Sequence, residues 1–185
     1  VKGYMLIKNE NVKIFLDLKL HDIPNTVKKG IEAIQELKPY FLTVHISGGD
    51  GMLRAANLSK KNIKILGVSV LTSLDSKQTK KIYNDKDVGK IVSNFTKHAL
   101  QRKIDGIVCS PKEISKIKKK SKDKLLIITP GIRPKNFNTS SDDQVRTMTP
   151  KEAIKAGADY LVIGRPITES KNPLQILKMI NESIR

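Results

Sequence analysis

The 185 residues read as an α/β protein built on a parallel sheet. Short runs rich in Val, Ile and Leu alternate with helical patterns, and the runs are too short to be helices. Two of the helices open with the same start signal, Ser/Thr-Pro-Lys-Glu. Strands that alternate with helices form right-handed βαβ units, whose strands run parallel and are covered on both faces.

In chain order, a strand is expected over residues 12–19 and a helix over 24–37. A strand over 41–46 and a helix over 51–59 follow. The third strand spans 63–70, with a helix over 88–101. Residues 106–109 lead to a helix over 111–119, and 125–129 to one over 150–156. The last strand, 160–163, precedes a helix over 173–182. Ser110-Pro-Lys-Glu113 and Thr149-Pro-Lys-Glu152 each place a hydroxyl at the N-cap, Pro at N1 and Glu at N3, a capping box that satisfies the free N–H groups of a first turn. Residues 1–11 read as the tail of a helix already under way. No linker or compositional shift marks a boundary, so residues 1–185 read as a single domain. Six strands leave two architectures open: an open six-stranded sheet, or a closed (β/α)8 barrel short of its first two strands.

Composition excludes several classes. With an apolar fraction of 38%, a packed core is affordable and global disorder is not expected. The longest apolar runs fall far short of the ~20 residues of a membrane span. The opening VKGYMLIKNE lacks a signal-peptide pattern. One cysteine, Cys109, permits neither an internal disulfide nor a multi-cysteine zinc site, and reads as a small buried hydrophobe. His21, His45 and His98 form no metal set with it. A cytoplasmic protein is expected. The net charge of +17 comes from 35 Lys and Arg against 18 Asp and Glu. Only six of the basic residues are Arg and only eight residues are aromatic, a poor match to base readout or strand stacking. The Lys residues are spread along the chain, and the 116–124 cluster reads as a solvated helix end. Neither nucleic acid nor membrane is expected as a partner.

The most informative stretch is Phe15-Leu-Asp-Leu-Lys-Leu-His-Asp-Ile-Pro-Asn-Thr26. Strand alternation puts Leu16, Leu18 and Leu20 on one face and Phe15, Asp17 and Lys19 on the other. A carboxylate and an ammonium thus share one face near the carboxyl end of a strand, where α/β barrels place catalytic groups. The plainer readings are a core salt bridge for Asp17 and Lys19 and a helix cap for Asp22. Ser47-Gly-Gly-Asp-Gly51 reads as a tight βα turn and not as a phosphate cradle.

This stretch resembles the orotidine 5′-phosphate decarboxylase family in its bacterial form, whose Asp-x-Lys-x-x-Asp-Ile-Pro-x-Thr signature is matched without departure by Asp17, Lys19, Asp22, Ile23, Pro24 and Thr26. Further along, Val44-His45-Ile-Ser-Gly-Gly49, Val70-Leu-Thr72-Ser73, Val108-Cys-Ser110, Thr129-Pro-Gly-Ile-Arg133, Asp143-Gln144 with Arg146, and Val162-Ile-Gly164-Arg165 are similar to its later strand ends, in order. The resemblance implies a TIM barrel of which this chain holds strands three to eight. The missing start would be roughly 40 residues by barrel arithmetic and would carry a ribose-contacting Asp and a second Lys. It follows as an expectation that the chain is N-terminally truncated and that it is inactive alone.

The resemblance also implies the chemistry: loss of CO2 from orotidine 5′-monophosphate (OMP) to give UMP, the last step of de novo UMP synthesis, with no metal and no organic cofactor. Lys19 would protonate C6, Asp17 would hold Lys19 beside the departing carboxylate, and Asp22, Ile23 and Thr26 would reach the neighbouring active site of a homodimer. Pro24, Asn25, Thr72 and Pro130 would contact substrate, and Arg133, Gln144, Gly164 and Arg165 its phosphate. Taken singly, Thr72 also reads as a turn residue, and Arg133 or Arg165 as a surface ion-pair member. The alternatives are a Mg-dependent sugar-phosphate decarboxylase on the same scaffold and a basic module binding anions or RNA.

Overall fold

The computed structural model describes residues 12–134 and 147–185. Among them lie six strands: β1 (Phe15–Leu20), β2 (Phe41–His45), β3 (Lys64–Val68), β4 (Gly106–Val108), β5 (Leu126–Thr129) and β6 (Tyr160–Leu161). All adjacent pairs are parallel, and the spatial order follows the chain order from β1 to β6. A doubly wound sheet would reverse direction partway; this one never does. Right-handed crossovers that always step the same way put every helix on one face and force the sheet to curl. The rings of Phe41 on β2 and Tyr160 on β6 have centroids 5.0 Å apart. Four strand spacings would separate them by roughly 19 Å in a flat sheet. The sheet is therefore an arc of a barrel, and the flat-sheet alternative falls.

The helices are α1 (Pro24–Ile34), α2 (Gly49–Ser59), α3 (Ser76–Tyr83), α4 (Val88–Gln101), α5 (Ile114–Ser121), α6 (Pro150–Ala156), α7 (Arg165–Thr168) and α8 (Pro173–Ser183). Alternation along the strands builds two cores. Leu42, Ile65, Ile107 and Ile127 pack outward with Ile31, Leu53 and Ile114 of the helices. Phe41, Leu66 and Ile128 fill the concave side, with Phe15, Val108 and Leu126 against them. Strands buried on both faces read as continuous apolar runs, which is why β2 to β5 were visible in the sequence. Gly106 is dictated by this packing: a Cβ there would lie 2.7 Å from the Leu126 carbonyl oxygen and 2.8 Å from Leu66 Cδ2.

The strands are shorter than the sequence suggests at most ends, and β1 begins at Phe15. The helices over 88–101 and 150–156 hold residue for residue, whereas 24–37 and 111–119 divide into 3-10 and α portions. The Thr149/Glu152 capping box forms with both of its hydrogen bonds. At Ser110 the device is different: its hydroxyl accepts from the Lys112 N–H at the start of a 3-10 turn over Pro111–Glu113, and Glu113 is buried. Two helices had no counterpart in the sequence reading. α3 carries a capping box of Asp75 and Gln78, but its only buried residue is Thr79, so it shows no apolar stripe. α7 has four residues and too little length for any periodicity. Residues 1–11, expected as a helix tail, lie outside the described residues. Among the described residues no helix is long and apolar enough to cross a membrane.

An aspartate directly precedes both β4 and β6 and ties the strand's start to its neighbour. Asp105 Oδ2 accepts from the Ile65 N–H at 2.8 Å, and Asp159 Oδ2 accepts from the Ile127 N–H at 2.7 Å. Lys60 Nζ donates to Asp105 Oδ1 at 2.7 Å. Asp105→Ala strands both the strand N–H and the ammonium, which should cost about 1–3 kcal/mol. Lys60→Ala, which leaves the N–H satisfied, should cost less. Denaturant unfolding of the two variants checks the order.

Candidate active site

The site forms where β1 leaves regular geometry. Leu16 pairs with Leu42 and Leu20 with Val44, so four steps along β1 span two along β2. Lys19 carries the excess with φ +49°, the left-handed region that side-chain-bearing residues seldom occupy. Such outliers persist where surrounding structure holds them, commonly at functional sites. Leu16 and Leu20 stay against the outer core, while Leu18, expected beside them, turns out to 51% exposure. The excursion explains this departure from strict alternation.

Asp17 and Lys19 do share one face, as alternation requires. The Lys19 ammonium donates to Asp17 Oδ2. The other carboxylate oxygen accepts from the Thr43 hydroxyl at 2.9 Å, and the same hydroxyl accepts from the Lys19 backbone N–H at 2.9 Å. The pair is not deeply buried as the sequence suggested: the side chains are 42% exposed for Lys19 and 49% for Asp17. β1 is an edge of the described sheet and is covered from one side only.

Asp17 and Lys19 line a cavity of about 190 Å³ with Thr72 and Pro130, which close it from the loops after β3 and β5. Val68, Val70, Val108 and Val162 form apolar walls, and Cys109 lies among them. Burial, with Glu113 nearby, pushes the Cys109 thiol well up, so it is a wall residue and no nucleophile. A larger cavity of about 590 Å³, lined by Val12, Leu37 and Tyr40 among others, sits at the opposite, amino-terminal ends of the strands, away from the charged pair.

The ring of His45, on β2, lies tilted against that of His21, with centroids 5.1 Å apart. Burial lowers its pKa first, and the neighbouring His21 and Lys19 lower it further against an opposing effect of Asp17. His45 is thus a neutral imidazole beside the pair at neutral pH. Sequence reasoning missed both Thr43 and His45 as neighbours of the charged pair. Their signal was present: a hydroxyl and an imidazole alternate with apolar residues on the inward face of an otherwise apolar strand.

The other expected residues that the structure describes fall outside the cavity wall. Asp22 accepts from the Ile23 N–H at 2.7 Å, and Ile23, which has no capping side chain, is the N-cap of α1. The helix-cap reading of Asp22 is thereby overturned. Asp22, Ile23, Pro24, Asn25 and Thr26 form a continuous exposed strip, with Ile23 at 66% exposure. Arg133 follows β5, where its N–H donates to the Met148 carbonyl at 2.9 Å. Gly164 and Arg165 follow β6, and a Cβ on Gly164 would meet open space. The barrel's own packing does not ask for a glycine there. Gln144 lies outside the described residues. Ser47 to Gly51 is the tight turn the sequence predicted, running from a 3-10 turn into α2 through Gly49 at φ +83°.

A curled parallel sheet with a charged, loop-capped cavity at the carboxyl ends of its strands defines a (β/α)8-barrel protein of the enzyme type. The chain belongs to the orotidine 5′-phosphate decarboxylase / HUMPS family, whose model matches residues 3–180. It is 47% identical over 176 residues to the orotidine 5′-phosphate decarboxylase of Wolbachia pipientis subsp. Culex pipiens, covering 94% of this chain and 76% of the relative. It is 43% identical over 186 residues to that of Ehrlichia canis, covering 100% and 80%. Among solved structures, the orotidine 5′-phosphate decarboxylase of Lactobacillus acidophilus superposes with a TM-score of 0.84 at 34% identity, over 99% of this chain and 81% of that one. That of Pyrococcus horikoshii gives 0.75 at 26% identity.

Proposed function

We propose that this protein converts orotidine 5′-monophosphate to UMP and CO2. The observation that carries the reading is the Asp17–Lys19 pair, held together at the carboxyl end of β1 and facing an apolar cavity under Thr72 and Pro130. The named relatives support it, and they do not favour the sugar-phosphate or RNA-binding alternatives.

Loss of CO2 from C6 leaves a carbanion with little resonance help. A positive charge fixed beside C6 before the bond breaks stabilises that carbanion more than it stabilises the substrate. Lys19 supplies this charge and then the proton that ends the reaction. Asp17 keeps the ammonium in place and lies next to the departing carboxylate. The cavity is smaller than the roughly 300–1,000 Å³ of sites that hold a whole drug-sized ligand. It suits the pyrimidine ring, with Thr72 hydrogen-bonding the ring edge and the ribose phosphate left outside.

The phosphate goes to the strand ends after β5 and β6, where barrels commonly bind it. Arg133 and Arg165 stand there and Gly164 leaves open room for close approach, and Gln144, outside the described residues, is assigned to the phosphate with them. Charge-assisted contacts of this kind are worth about 1.5–3 kcal/mol each. Arg165→Ala should therefore raise the KM for OMP about 10- to 100-fold with a smaller change in kcat, checked by steady-state kinetics. The exposed strip from Asp22 to Thr26 supports a homodimer in which Asp22, Ile23 and Thr26 enter the partner's site.

The test is UMP and CO2 release from OMP by the full-length gene product, with and without EDTA. Equal stoichiometric release in both is expected. Turnover abolished by EDTA and restored by Mg²⁺ would favour the sugar-phosphate type of chemistry.

A further inference from the structure

Thr43 is fully buried on the concave face of β2, between the aromatic Phe41 and His45 positions. A buried hydroxyl needs partners, and this one finds both in β1. It donates its one proton to Asp17 Oδ1 and accepts the backbone N–H of Lys19, each at 2.9 Å. These are the two residues of the charged pair, and they lie in the stretch where β1 leaves its register with β2. The excursion removes the ordinary ladder partner of the Lys19 N–H, and the Thr43 side chain replaces it. With Oδ1 tied to Thr43, the carboxylate presents Oδ2 to the ammonium.

We infer that Thr43 is a positioning residue of the reaction: its hydroxyl fixes both the left-handed backbone of Lys19 and the rotation of the Asp17 carboxylate. The inference rests on the proposed decarboxylation. A misplacement of about 1 Å at a reacting group costs on the order of 100-fold in rate. Thr43→Val keeps the shape and removes both hydrogen bonds. Thr43→Ser keeps the hydroxyl and loses only a methyl group. Thr43→Cys keeps the size with a weak S–H donor.

The experiment measures kcat and KM for OMP, and Kd for UMP, in the full-length gene product carrying each substitution. Thr43→Val should lower kcat by about 10- to 100-fold, as such a misplacement does, with KM and the UMP Kd within about threefold. Thr43→Ser should stay near the parent kcat and Thr43→Cys should fall between. If Thr43→Val fails to fold, the Ser and Cys variants carry the test by the same contrast. A kcat for Thr43→Val within twofold of the parent, or a Ser variant as slow as the Cys variant, would overturn the positioning role while leaving the decarboxylase reading intact. A parent protein that forms no UMP would overturn that reading, and this inference with it.

Discussion

Lys19→Ala should abolish turnover while leaving nucleotide binding nearly intact. Two contributions vanish with the ammonium. Proton transfer by a positioned acid is worth about 10²–10⁴-fold, and a fixed charge at a developing anion about 10²–10³-fold. A fall in kcat of at least about 10⁴-fold is the expected result, since the two act at the same atom. Affinity for UMP should change little, because the phosphate contacts assigned to Arg133 and Arg165 are remote from C6. Lys19→Arg should rescue poorly. A guanidinium keeps the charge but gives up its proton far less readily and has a different shape. Single-turnover assays with OMP and UMP titrations of the same variants check both halves. Retention of turnover in Lys19→Ala would reassign the proton donor.

The isolated 185-residue chain should show no measurable UMP formation and a low unfolding midpoint. Among the described residues β1 pairs only with β2 and β6 only with β5, so both outer edges present unpaired backbone groups. Exposed edges of this kind favour association with other chains. The Asp17–Lys19 pair sits on one of those edges with nearly half of each side chain in solvent. An ammonium facing water has its field screened, whereas the chemistry requires that field in a site from which water is excluded. Thermal unfolding and an OMP assay on the isolated 185-residue chain check this, and turnover comparable to that of the full-length gene product would contradict it.

The order of the strands, the parallel sheet and the position of the charged pair were legible in the sequence because each rests on a local pattern. β2 to β5 announce themselves as apolar runs, and Asp17 and Lys19 two apart in a strand must share a face. The motif signature carries the family by itself, whereas the curl of the sheet shows only in the structure. Less legible was whatever depends on one strand meeting another. Thr43 lies 26 residues from Asp17 and became part of the site only through the pairing of β1 with β2. The exposure of Leu18 followed from a register slip that no spacing encodes. The half-exposure of Asp17 and Lys19 followed from β1 being an edge, a property of the sheet and not of the strand. α3 was missed because its helix is held by a cap and not by an apolar stripe.

The proposed role of Lys19 is tested most directly by a crystal structure of the full-length gene product with UMP bound. The uracil ring should lie in the cavity between Lys19 and the Thr72–Pro130 wall. Lys19 Nζ should stand about 3 Å from C6, the reach of a proton donor, with Asp17 behind it and the phosphate against Arg133 and Arg165. A nucleotide bound elsewhere, or a C6 atom facing some other group with Lys19 turned away, would contradict it.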